Sequence, residues 1–322
     1  MPSKVVTGVV GLLIIVGTAC EGGGGGQLVQ PETDITTTST TVTSATAAPV
    51  TAAPETPTTT VAPAAATTTA APGTPIPTDQ LKGPKTAAAT ARALAKIERK
   101  LRGSNRDPAL LMKLGRAQQL AYRALSAHPA WVDDVLAEVD PTLQPHVQAN
   151  VDAGAALSTL TGDAPAPVGF PQWVILTPEP AATLLSYYTE AEQTYGVPWQ
   201  YLAAIHFAET RMGRIRGLSS AGAQGPMQFI PETWAAFGTG DINSNHDAIL
   251  AAANYLDSNN AANDIDNALF RYNNDERYVA AIKLYAGVMI ADPGAYDGYY
   301  HWQVFYASAD GTFLLPEGWS AV

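Results

Sequence analysis

Residues 198–234 read PWQYLAAIHFAETRMGRIRGLSSAGAQGPMQFIPETW, and this stretch decides the fold of the C-terminal half. Pro198 suits the start of a helix, and the residues after it are largely apolar as far as Phe207. Glu209 follows near the end of this helix. A loop with four glycines then leads to Pro231, which suits the start of another helix. The stretch therefore predicts a buried helix that presents an acid to a glycine-rich loop.

Glu209 is an unusual residue for so apolar a helix. Removing an ionised carboxylate from water is costly, and the usual response is a raised pKa. A carboxyl that keeps its proton near neutral pH can act as a general acid. The alternative is a partly exposed acid at a helix end, and the helix alone does not separate the two.

The motifs around this acid resemble those of the goose-lysozyme-like lytic transglycosylases. The shared elements are, in chain order, Glu209-Thr210, Ser219 to Ala223, Gly225 to Pro231 and Tyr272-Asn273. Residues 247–256 resemble the long helix that precedes the last motif in that family. The resemblance covers roughly residues 180–300 and does not extend to the first 160. Thr210 and Asn274 depart from the commoner family residues, which are Ser and, in many relatives, Ala-Gly.

The resemblance implies a role for each matching residue. Glu209 is the single catalytic acid and base, and Ser219 orients the reacting N-acetylmuramyl ring. Gln228 lines the cleft and hydrogen-bonds the glycan. Tyr272 brings its hydroxyl close to Glu209, whereas Asn273 is a structural residue that braces the loop.

The implied reaction needs only one carboxyl group. Hydrolases of β-1,4-linked sugars usually place two carboxyl groups beside the bond. Asp241 and Asp247 are the candidates for a second acid, but Asp247 is expected to cap a helix. A lone acid suffices if the muramyl C6 hydroxyl attacks C1, which yields a 1,6-anhydro end. The alternatives are a lysozyme-type muramidase that uses water, and a wall-binding lipoprotein without catalysis.

Other side chains near the motifs are expected to be structural. His206 lies one helical turn before Glu209, and a buried structural histidine is the preferred interpretation. The aromatic residues Phe229, Trp234 and Tyr255 are expected in the core. Only Tyr272 is assigned to the site.

Charge and cysteine content exclude several other classes of protein. The net charge is −11, with 29 acidic and 18 basic residues, which disfavours a nucleic-acid partner. A single cysteine and scattered histidines give no metal-binding pattern, and no nucleotide-binding motif is present. We therefore expect no metal and no cofactor.

The first 84 residues are typical of an exported, tethered protein. Residues 1–19 have the basic start, apolar run and small residues of a signal peptide. Cys20 follows in a setting that resembles a lipoprotein lipobox, which predicts lipidation and membrane attachment, although Gly17 departs from that pattern and also suits ordinary cleavage. Residues 20–84 are rich in Thr, Ala and Pro and predict a disordered tether. The expected location is the outer face of a bacterial cytoplasmic membrane or the cell wall.

The remaining chain divides into a helical segment and a catalytic domain. Residues 85–160 show helical periodicity and a basic character, and are expected either to pack as a small bundle or to dock on the domain that follows. Residues 166–322 are assigned to the catalytic domain, with 303–322 as a loosely packed tail. The predicted fold class is mainly α: a lysozyme-like domain behind a small helical segment and a disordered Thr/Ala/Pro-rich stalk. Its expected partner is the glycan strand of peptidoglycan.

Overall fold

A computed structural model describes residues 73–160, 162 and 164–321, and this part of the chain is mainly helical, as predicted. The predicted signal peptide, Cys20 and most of the predicted tether lie outside the described residues. The helices are α1 (Ala87–Leu101), α2 (Pro108–Ala127), α3 (Val132–Glu138), α4 (Gln144–Ser158), α5 (Ala181–Tyr195), α6 (Trp199–Thr210), α7 (Pro231–Phe237), α8 (Asn245–Ser258), α9 (Ile265–Tyr272), α10 (Glu276–Ala291) and α11 (Ala295–Tyr300). The strands are β1 (Ile76–Pro77), β2 (Val174–Ile175), β3 (Ile215–Arg216), β4 (Val304–Ser308) and β5 (Gly311–Leu315).

Local sequence signals explain where several helices begin and end. The Asp107 side chain accepts a hydrogen bond from the backbone N–H of Leu110, and Pro108 occupies the first helical position of α2. Gly196 ends α5 in the left-handed region, with φ of 71°. Ser244 caps α8 by accepting a hydrogen bond from the backbone N–H of Asp247. Asp247 is therefore not the cap that the sequence predicted but a residue in the first turn.

Helix α6 is the central helix of the C-terminal region. Every residue from Leu202 to Thr210 is buried, because α5, α8 and α10 pack around this helix. The helix shows no polar face over these positions, which is the pattern expected of a helix enclosed by protein. This enclosure determines the environment of Glu209.

The helical segment of residues 85–160 docks on the C-terminal region instead of forming a separate bundle. Helix α4 packs along α10, and α2 packs against α11. At Gly115 the backbones approach so closely that a Cβ atom would lie 2.7 Å from the carbonyl oxygen of Gly298. Residues of both segments share one hydrophobic core, and the described residues form one compact unit.

A buried polar network reinforces this docking. The Glu98 carboxylate of α1 accepts hydrogen bonds from Tyr122 at 2.6 Å, Gln118 at 3.0 Å and Arg102 at 2.6 Å. Gln118 in turn accepts a hydrogen bond from the indole N–H of Trp302 at 2.9 Å. Buried polar groups are stable only when their partners are in place, so this network fixes one arrangement of the two segments.

Two terminal segments depart from the sequence predictions. Strands β4 and β5 form an antiparallel hairpin, so residues 303–322 are not a loosely packed tail. Ile76 and Pro77, which the predicted tether includes, pair with Leu314 and Phe313 of β5 as a third strand. Residues 76 and 77 are therefore part of the sheet and not of a disordered segment, because the edge of β5 provides hydrogen-bonding partners for them.

A candidate active site at the end of α6

The end of α6 turns Glu209 into the interior. Arg211 and Met212 follow with φ of 54° and 61°, both in the left-handed region, and Gly213 follows with φ of 75°. Three consecutive residues in this region end the helix abruptly, and non-glycine residues adopt it only at some energetic cost. The resulting turn is fixed from inside by Thr210, whose hydroxyl donates to the carbonyl oxygen of Pro226 at 2.6 Å. The end of α6 is thereby joined to the glycine-rich loop.

The Glu209 carboxyl is fully buried and has one hydrogen-bonding partner. The hydroxyl of Tyr278 in α10 donates to Oε1 at 2.8 Å, while Oε2 has no partner among the described residues. Burial raises the pKa of Glu209 to about 8, and the Tyr278 hydrogen bond opposes this rise only in part. Glu209 therefore keeps its proton at neutral pH, and its Oε2 can offer that proton to a ligand.

Tyr272 lies beside this pair, and its hydroxyl group contacts the glycine-rich loop. Its hydroxyl donates to the backbone carbonyl oxygen of Met227 at 2.7 Å, and its ring is parallel to that of Tyr278, with centroids 6.4 Å apart. Burial raises the pKa of Tyr272, and the nearby Glu209 raises it further. The hydrogen bond to Glu209 comes from Tyr278, which the sequence did not single out. Tyr272 instead fixes the loop.

The glycine-rich loop is held mainly by its own backbone. Gln224 and Phe229 exchange backbone hydrogen bonds of 3.0 Å each. Gly225, with φ of 76°, lies where a Cβ atom would approach the carbonyl oxygen of Ile242 to 2.0 Å, so no other residue fits this position. The Ser219 hydroxyl oxygen accepts hydrogen bonds from the backbone N–H groups of Ala221 (3.2 Å) and Ala223 (3.0 Å). In this structure Ser219 therefore shapes the loop.

Gln228 occupies a strained position within the loop. Its φ is 52°, which is uncommon for a residue other than glycine. Its amide nitrogen donates to the carbonyl oxygen of Gly225 at 2.9 Å, while its buried Oε1 has no partner among the described residues. Backbone strain of this kind is often found in ligand-binding loops. Gln228 Oε1 and Glu209 Oε2 are thus two buried polar atoms without protein partners.

Asn273 ends α9, and its backbone N–H donates to the carbonyl oxygen of Leu269 at 3.0 Å. Its own carbonyl oxygen accepts a hydrogen bond from the backbone N–H of Asp275 at 2.6 Å. Asp275 directly precedes α10, which contains Tyr278. Asn273 thus lies between α9 and α10, and its structural role stays a prediction.

His206 is fully buried in α6, one helical turn before the acid. Its Nδ1 lies 2.7 Å from the hydroxyl oxygen of Tyr188, and burial lowers its pKa to about 3. A histidine with this pKa is neutral at all physiological pH values. No hydrogen bond joins it to Glu209 within the described residues, so the structure places it in the core.

The two candidate second acids contact each other, Asp241 in the loop before α8 and Asp247 in the first turn of α8. Asp247 accepts a hydrogen bond from the backbone N–H of Asp241 at 2.9 Å and also lies 3.0 Å from His246. These contacts lower the pKa of Asp247, led by the hydrogen bond from Asp241. No carboxylate of the described residues contributes to the pKa of Glu209.

The described residues contain no group of three or more His, Cys, Asp or Glu side chains arranged to hold a metal ion. In the same part of the chain, no helix has both the length and the apolar character needed to cross a membrane.

A comparison with protein families identifies the segment that builds this site. The family model described as the transglycosylase SLT domain matches residues 186–287, about a third of the chain. The match begins within α5 and ends within α10, and so includes Glu209, the glycine-rich loop, Tyr272 and Tyr278. No curated protein and no solved structure matches the chain. Residues 186–287 are therefore similar to the transglycosylase SLT domain, a lysozyme-like domain of proteins that act on cell-wall peptidoglycan.

Proposed function

We propose that this protein cleaves the β-1,4 bond between N-acetylmuramic acid and N-acetylglucosamine in peptidoglycan by intramolecular transglycosylation. The product is a glycan strand with a 1,6-anhydromuramyl end. The observation that carries the proposal is the fully buried Glu209, with a pKa near 8 and one oxygen free of protein partners. A single group of this kind can serve first as an acid and then as a base near neutral pH.

In the first half of the reaction, Glu209 donates its proton to the glycosidic oxygen. The bond between this oxygen and muramyl C1 breaks, and the N-acetylglucosamine unit leaves with a 4-hydroxyl group. In the second half, the C6 oxygen of the same muramyl ring bonds to C1, and Glu209 accepts the hydroxyl proton. No water is consumed, and Glu209 ends the cycle protonated.

The electrostatic surroundings of Glu209 support a mechanism with one carboxyl group. A retaining glycosidase needs a second carboxylate about 5–5.5 Å from the first. Two carboxyl groups so close together in a buried site would shift each other's pKa, and the pKa of Glu209 responds only to burial and to Tyr278. The substrate hydroxyl is therefore the nucleophile that fits this site best.

The other site residues have distinct proposed roles. Tyr278 is a positioning residue, since it holds Oε1 and leaves Oε2 directed to the substrate. Gln228 binds the glycan through its unpartnered Oε1, which can accept a hydrogen bond from an amide or hydroxyl group of the sugar. Ser219 and Tyr272 maintain the loop that carries Gln228 and border the reacting muramyl ring.

The proposal extends to the placement of the enzyme. Peptidoglycan lies outside the cytoplasmic membrane, so the SLT domain acts there. We propose that residues 1–19 direct export, that Cys20 carries a lipid anchor, and that the Thr/Ala/Pro-rich segment after it allows the enzyme to reach strands away from the membrane.

Digestion of purified peptidoglycan by the full chain tests the function. Mass spectrometry of the released muropeptides should find 1,6-anhydromuramyl ends, and Glu209→Gln should abolish them while the protein stays folded. Glu138→Gln makes the same chemical change at an exposed carboxyl group of α3 and should keep the activity. Reducing muramyl ends would instead indicate a muramidase, and binding without any release would indicate a wall-binding protein.

A further inference from the structure

Helix α1 presents a row of exposed basic side chains on one side. We call this row the basic face, and it consists of Arg92, Lys96, Arg99 and Lys100. Spacings of three and four residues place these side chains on the same side of the helix. The opposite side, with Leu94, Ile97 and Leu101, is buried, and α1 packs mainly against α2 and α3. The packing of α1 therefore leaves all four charges directed to solvent.

The basic face is not neutralised by ion pairs. None of its four side chains pairs with a carboxylate among the described residues. Arg102, which follows at the end of α1, does pair with Glu98 and Asp292. The neighbouring helix α3 carries exposed acids, yet none of these acids forms an ion pair with the basic face. The face thus holds positive charge that is available to a partner.

This positive charge contrasts with the charge of the chain as a whole. The net charge is −11, whereas residues 81–125 contain eleven Lys or Arg and only two acids, Glu98 and Asp107. Residues 161–322 contain six basic and seventeen acidic residues. A local excess of charge of one sign attracts partners of the opposite sign, even where the net charge of the protein is unfavourable. The basic face is therefore complementary to an anionic partner.

The composition of α1 favours a lipid surface over a polysaccharide as this partner. The helix contains no aromatic residue that could stack on a sugar ring. Its long Lys and Arg side chains form a row of separate charges, which suits separate headgroups in a plane. In the described chain α1 is also the first α-helix after the predicted tether, so the lipid anchor proposed for Cys20 would bring it to a membrane.

We propose that the basic face of α1 docks on a membrane surface that contains anionic phospholipids. Glu209 and Tyr278 lie on α6 and α10, and neither of these helices packs closely on α1. Docking through α1 therefore holds the protein at the membrane without covering the acid. This interaction goes beyond the peptidoglycan reaction and does not depend on it.

Binding to lipid vesicles tests the proposal. The chain without residues 1–19 and with Cys20→Ser is used, so that neither the apolar N-terminal run nor a lipid contributes. It should sediment with phosphatidylcholine vesicles that contain about 30% phosphatidylglycerol, and not with phosphatidylcholine alone. About 1 M salt should release it, because the Debye length falls from about 10 Å at 0.1 M to about 3 Å.

Substitutions in the basic face should weaken this binding stepwise. Each basic residue near an anionic surface strengthens binding by about fivefold, so Lys96→Gln should cost about fivefold and Lys96→Gln with Arg99→Gln about 25-fold. Lys283→Gln is the matched control, since it removes the same group from an exposed position of α10. It should leave vesicle binding unchanged. Equal binding by all these variants would overturn the proposal, and so would equal binding to vesicles without phosphatidylglycerol.

Isolated cell wall is the competing partner in the same assay. Retention by cell wall, together with no binding to the anionic vesicles, would contradict membrane docking and would assign the basic face to an anionic wall polymer. The readout is lipid binding by a chain without a lipid anchor. Its result is therefore independent of whether the protein forms anhydro ends and of whether Cys20 is lipidated.

Discussion

The Glu209→Gln variant should be more stable than the unmodified protein, and the difference in the free energy of unfolding should grow as the pH rises. This gain is expected although the replacement removes the proposed acid. Burial raises the pKa of Glu209 from 4.5 to about 8. Between these values the unfolded chain releases the proton while the folded chain keeps it. Stability due to this group is therefore fully present below pH 4.5 and is lost as the pH rises to 8. Gln is neutral throughout and shows no such loss.

The expected size of the effect follows from the same linkage. Each pH unit between the two pKa values changes the free energy of unfolding by about 1.4 kcal/mol. From pH 4.5 to pH 7 the Glu209→Gln variant should gain about 3 kcal/mol relative to the unmodified protein. At urea m-values of about 2–3 kcal/mol/M, the unfolding midpoint should increase by about 1 M or more.

Urea unfolding of both proteins at pH 5, 6, 7 and 8, followed by tryptophan fluorescence, measures this difference. His206 has the opposite dependence, because its pKa is lowered from 6.5 to about 3 and its contribution rises with pH between these values. Both proteins contain His206, so its contribution cancels in the difference. Glu138→Gln, at an exposed carboxyl, should show no growing difference. A Glu209→Gln difference that stays constant from pH 5 to pH 8 would refute a desolvated, protonated Glu209.

Three further predictions concern the site and its support. Tyr278→Phe removes the one hydrogen bond that the described residues give the Glu209 carboxyl group, so the pKa on the alkaline limb of the pH–activity profile should rise by about one unit; an unchanged limb would contradict this role. Residues 166–322 alone should fail to unfold cooperatively in urea because α1–α4 supply part of their core, whereas residues 73–322 should show a single transition. Glu98→Ala leaves three donors without their buried acceptor and should lower the free energy of unfolding by about 3–5 kcal/mol; a loss below 1 kcal/mol in urea would show that the network does not hold the segments together.

The parts of the fold with local signals could be predicted from the sequence. The Asp107-Pro108 pair marked the start of α2, and Gly196 marked the end of α5. The apolar run before Glu209 predicted a buried α6, which was confirmed, and of the two alternatives for Glu209 the structure shows the buried acid. These features depend on residues close together in the chain, so sequence patterns report them directly.

Contacts between distant residues could not be predicted in this way. Tyr278 reaches Glu209 from 69 positions away, and the apolar pattern of α10 gives no sign of which tyrosine faces the acid. The pairing of Ile76 with Leu314 is still more distant and has no local signal. The hairpin of β4 and β5 did have a local signal, since two runs rich in aromatic and other apolar residues flank Ala309-Asp310, which form the two-residue turn before Gly311.

The most direct test of the central claim is to run the peptidoglycan digestion in water enriched in ¹⁸O. If the muramyl C6 hydroxyl is the nucleophile and Glu209 the only acid and base, the new ends carry no ¹⁸O and are lighter than reducing ends by one water molecule. That is the result we predict, and Glu209→Gln should produce no new ends. Muramyl ends that contain one ¹⁸O atom would show that water attacks C1, and would contradict transglycosylation.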